Sequence, residues 1–71
     1  MTNKEIGRMV QHAREGRALS KMALAELSGV HPRTISRVER GVGCHVNTLR
    51  QLAAALNMRL VIRFEGEDGN A

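Results

Sequence analysis

Only two residues, Val30 and His31, separate Gly29 from Pro32, and that spacing constrains the chain more than any other feature. Ser20 is a good N-cap for a short helix running from Lys21 to about Ser28, with Leu24, Ala25 and Leu27 as inward positions. Gly29 ends it, because glycine takes up the left-handed backbone of a tight turn without steric cost. Pro32 is well tolerated as the first residue of the next helix. That helix runs to about Arg40, with Ile35 and Val38 facing inward, until Gly41 stops it. Two short helices must therefore meet across a tight turn. Ala25 is small where they meet, and Leu24, Val30, Ile35 and Val38 supply a shared core.

The flanking segments are also helical in pattern. Ile6, Met9, Val10 and Ala13 form one apolar stripe, with Thr2 or Asn3 as cap and Gly16 as the expected left-handed terminator. Val42–Val46 reads as a loop, after which Asn47 is expected to cap a helix carrying Leu49, Leu52, Ala53 and Leu56, ended by Asn57. Beyond this the period changes. Leu60, Ile62 and Phe64 fall on one side and Arg59, Val61 and Arg63 on the other, which is strand spacing. A lone strand leaves backbone groups unpaired, so the simplest partner is the same strand of a second copy. The alternatives are that the preceding helix continues or that the tail packs loosely. The expected organisation is a domain over residues 1–57, a dimerisation strand over 58–65 and a disordered acidic tail over 66–71.

Size and charge narrow the function. A chain of 71 residues hides only about 60% of its unfolded surface, and its single cysteine, Cys44, cannot form an intrachain disulfide. Oligomerisation, here a homodimer, is the expected compensation. The lone thiol and the absence of an apolar run long enough to span a bilayer point to a cytoplasmic protein with no membrane association. Residues 1–63 carry all 11 basic side chains and four of the seven acids, a net +7, whereas residues 64–71 carry −3. A basic body favours a polyanion through counterion release. Phe64 is the only aromatic residue, which argues against modules that stack single-stranded bases and leaves double-stranded DNA as the polyanion.

In such a helical pair the second helix can enter the major groove N-terminus first. Arg33 is then the best candidate for a bidentate contact with guanine. Ser36 and Arg37 follow on the same face, and His31 and Pro32 stand at the helix start. Arg37 as a phosphate clamp and His31 as a simple N-cap are the competing readings. Lys21, at the start of the preceding helix, can approach phosphate. Thr34, Arg40, His45 and Thr48 are further phosphate candidates, in falling order. Arg8, Arg17 and Arg50 read as solvated charges.

The run LAELSGVHPRTISRVERG, followed by TLRQLAAALNM, resembles the Xre/Cro–repressor family of bacterial and phage helix-turn-helix regulators, over roughly residues 5–57. That resemblance implies an all-α, lambda-repressor-like bundle of four or five helices, which binds operator DNA as a dimer and acts as a repressor. Here a C-terminal strand, at about 58–64, would pair across the dimer through Leu60, Ile62 and Phe64. The resemblance also implies a structural ion pair between Arg14 and Glu39. The strand-like ending is similar to that of small antitoxin-type members, for which a toxin protein is a further partner. Two departures stand out. Met22 and Ala23 occupy positions where polar residues are frequent, with inward packing expected, and the loop before the last helix lacks proline.

No catalytic set is visible. Cys44 and His45 are adjacent without further metal ligands nearby, and His12 has no acidic or nucleophilic companion. Neither an enzyme nor a metal or cofactor is expected.

Overall fold

The computed structural model describes residues 1–63, which form four helices: α1 (Asn3–Gly16), α2 (Lys21–Ser28), α3 (Pro32–Glu39) and α4 (Val46–Ala55). There is no strand among the described residues. Leu24, Ile35 and Leu52 are fully shielded from solvent, and Val10, Val30, Val38 and Leu56 complete the buried core. A side chain of this size contributes roughly 1.5–3 kcal/mol when fully buried. One such residue on each of α2, α3 and α4 brings the three helices to a shared apolar core.

Local chemistry sets the helix starts. Thr2 caps α1 in a reciprocal arrangement: the Glu5 N–H donates to Thr2 Oγ1 at 3.1 Å, and the Thr2 N–H donates to Glu5 Oε1 at 3.0 Å. The bond from the Thr2 backbone, then that from its hydroxyl, holds the Glu5 carboxyl below its ordinary value. A lowered pKa means the stabilisation is present above the ordinary carboxylate range and is lost as pH falls through the lowered value. The Thr2 amide proton shift, followed by NMR through an acid titration, should therefore report a carboxyl that titrates below that range. Ser20 caps α2 by accepting from the Ala23 N–H at 3.0 Å.

The turn between α2 and α3 is built as its residues suggest. Gly29 is left-handed with φ 76°, and its N–H donates to the Ala25 carbonyl. Ser28 Oγ accepts from the Val30 N–H, and the Val30 side chain is buried. Pro32 opens α3, with no N–H to leave unpaired.

Several expected boundaries and burials are corrected. Gly16 lies inside α1; the left-handed residue that closes the turn is Ala18, at φ 57°, while Leu19 N–H returns to the Arg14 carbonyl. Asn47 is within α4, whose N-cap is His45, a side chain that makes no capping bond. Leu27 and Met22 are both exposed. Helix α2 buries Leu24 alone, and the apolar side chains of Met22 and Leu27 are left to solvent.

Helix α4 does not continue. Leu56 caps it, Asn57 is left-handed at φ 56°, and Met58 N–H folds back onto the Ala53 carbonyl. Residues 58–63 follow without regular structure. The expected strand is not formed among the described residues, and Phe64 and the acidic tail lie outside them.

Candidate nucleic-acid interface

Helix α3 presents opposite chemistry on its two faces. Ile35 and Val38 are buried against α1 and α2. Arg33, Arg37 and Arg40 are exposed, with Ser36 half-buried beside them. These four positions follow the i, i+3, i+4, i+7 spacing of one helical face.

The start of α3 is ordered by His31, whose Nδ1 accepts from the Arg33 N–H at 3.0 Å. His31 is exposed and caps the helix, while Pro32 is half-buried at the first helical position. Across the turn, Lys21 Nζ donates to Ser36 Oγ at 3.2 Å. An ammonium has no lone pair, so the serine oxygen must be the acceptor. The bond ties the start of α2 to the middle of α3.

A second group gathers between α3 and α4. Thr34, Arg37, His45 and Thr48, together with Gly43 and Cys44, line an open cleft of about 470 Å³. The contributions of Gly43 and Cys44 were not visible from sequence, because they depend on how the loop after α3 folds back. Burial pushes the Cys44 thiol above its ordinary value, so it remains neutral at physiological pH.

Arg14 and Glu39 meet behind this face. Arg14 Nε donates to Glu39 Oε2 at 2.7 Å and Arg14 Nη2 to Oε1 at 3.0 Å, while Nη1 donates to the Leu19 carbonyl at 2.8 Å. The side chains are 10% and 5% exposed. The hydrogen bonds to Glu39 raise the Arg14 pKa against the opposing effect of burial, so the guanidinium stays charged. All three guanidinium nitrogens and both carboxylate oxygens are engaged, and Glu39 is withdrawn from solvent.

Apolar surface lies elsewhere. Met1, Ile6, Met9 and Val10 face Leu49, Ala53 and Leu56 across a groove of about 290 Å³, closed on one side by Met58, Leu60 and Val61. Leu60 is half-buried in this groove, whereas Val61 and Ile62 are 70% and 52% exposed. Leu60 thus packs on its own chain while Ile62 points away from it.

Among the described residues no helix is long and apolar enough to cross a membrane, and no three His, Cys, Asp or Glu side chains are grouped to hold a metal. A family model described as a helix-turn-helix domain matches residues 5–60. No curated protein matches the chain.

Proposed function

The chain belongs to the helix-turn-helix domain family, and on that premise we propose that it is a sequence-specific regulator, a repressor that binds an inverted-repeat operator as a homodimer. The observation that carries this reading is the exposed basic face of α3, opposite a fully buried one and aligned at its start by His31. In this family arrangement α3 lies in the major groove, with Arg33, Ser36, Arg37, His31 and Pro32 next to base edges. Lys21, Thr34, Arg40, His45 and Thr48 approach phosphates, and the cleft between α3 and α4 brings Thr34, His45 and Thr48 to one side of Arg37. Phosphate contacts set the register and base contacts carry the sequence preference. Occupancy of a site overlapping a promoter would block polymerase.

The dimer is proposed to form through residues 58–64, where Val61 and Ile62 are exposed beside the apolar groove. Pairing of two such segments would set the reading helices roughly 34–36 Å apart, one turn of DNA, or a multiple of that distance. Ile62→Pro removes a backbone donor from the pairing, so this variant should sediment as a monomer. A dimer that survives the substitution would place the interface elsewhere.

A second reading is an antitoxin whose main partner is a toxin protein, favoured by the exposed Met22 and Leu27 on α2. Binding to a panel of random duplexes at fixed near-physiological salt tests the principal reading. Enrichment of a palindromic site by orders of magnitude supports specific dimeric readout. Equal affinity for all duplexes overturns it and leaves a protein-partner module as the better account.

A further inference from the structure

Resting on the reading that α3 enters the major groove, we propose that this face selects guanine-rich half-sites, because its hydrogen-bonding groups present almost only donors. In that groove guanine shows two acceptors, N7 and O6. Adenine shows one acceptor and one donor, thymine an acceptor and a methyl group, and cytosine only a donor. A donor surface is fully paired by guanine and left unpaired opposite cytosine, and a desolvated unpaired donor is costly.

The side chains leave few alternatives. The Arg33 and Arg37 guanidinium groups have five N–H donors each and no acceptor. The ring of His31 has already spent Nδ1 as the acceptor of the Arg33 N–H. The neutral imidazole must then carry its proton on Nε2, so the outward nitrogen is a donor. Lys21 gives one hydrogen to Ser36 Oγ and keeps two. Ser36, with one lone pair occupied by the ammonium, keeps its own hydroxyl hydrogen as a donor. Its second lone pair sits in the field of an ammonium, which disfavours an incoming amino group.

The acceptors that would read other bases are missing or engaged. Helix α3 contains no Asn, Gln or Asp, the residues that pair bidentately with adenine or accept from cytosine. Its one carboxylate, Glu39, is held by two bonds from Arg14 and is 5% exposed. The ion pair thus stabilises the fold and holds the one carboxylate of α3 behind the face. Glu26 is exposed, but it belongs to α2 and shares a shallow apolar depression with His31 and Pro32.

The full chain should be used to select from a random duplex library at fixed salt. Guanines are expected at two or more positions of each half-site. Replacing those guanines singly by 7-deazaguanine, which lacks the N7 acceptor, should weaken binding by roughly tenfold at each contacted position. Arg33→Ala, an exposed substitution whose fold is checked by circular dichroism, should abolish the 7-deaza effect at one position and leave the others. Glu26→Gln should leave the guanine preference unchanged. A selected site poor in guanine, or one whose guanines all tolerate 7-deazaguanine, overturns the donor-face proposal while the regulator reading stands. Selection that enriches no site overturns both.

Discussion

Arg14→Ala should leave most of the chain unfolded at room temperature. The substitution strands the Glu39 carboxylate, 5% exposed, without its two hydrogen bonds and frees the Leu19 carbonyl. Removing one partner of a buried pair costs about 3–5 kcal/mol. A core in a domain below about 70–80 residues rarely supplies more than that. Helical circular dichroism and a urea titration would show the loss directly. The penalty comes from the orphaned charge, so an apolar pair of similar volume should recover much of it. Arg14→Met combined with Glu39→Leu is therefore expected to be markedly more stable than Arg14→Ala. A double variant no better than the single one would mean that shape, not charge, makes the site indispensable.

The second large effect reverses an ordinary rule. Alanine in a helix interior is normally favoured over glycine by roughly 0.5–1 kcal/mol. At Gly7 in α1, a Cβ would run into the backbone carbonyls of Val38 and Glu39, at the end of α3. Backbone cannot swing aside as a side chain can, so Gly7→Ala should destabilise by about 1–3 kcal/mol or more through overpacking. For a domain this size each 1 kcal/mol lowers Tm by roughly 4–8 °C. Gly16→Ala supplies the control within the same helix, since nothing lies within 4 Å of its added carbon. It should be neutral or slightly stabilising. Thermal melts in which both variants shift in the same direction would contradict the close approach of α1 and α3.

These cases show where sequence reasoning works. Ser20, Gly29 and Pro32 act through their own backbone preferences, so the turn they build was legible from the residues alone. The amphipathic pattern of α3 was equally plain, because Ile35 and Val38 stand at helical spacing among polar neighbours. The end of α1 was not. Ala18 takes the left-handed conformation that Gly16 would adopt more readily, because the carbonyls of Arg14 and Glu15 fix the turn two residues later. Gly7 carries no local signal at all, since its reason lies on another helix. The cleft between α3 and α4 is similar, joining Arg37 to His45 and Thr48 through the path of a loop. The alternation at residues 59–64 was readable as a pattern, yet a pattern that asks for a neighbouring strand finds none among the described residues.

Helix α1 has a consequence for geometry that reaches past stability. One side of it touches α3 through a residue with no side chain, and Arg14 bolts it to the last residue of that helix. Ile6, Met9 and Val10 line the apolar groove. If the proposed dimer forms beside this groove, α1 would act as a strut between it and the arginines of α3. In the proposed dimer, a small rotation of one copy against the other would arrive at the DNA nearly undamped, as a change in the separation of the two reading helices. Substitutions in the groove should then alter which half-site spacing is tolerated while leaving the bases read within each half unchanged.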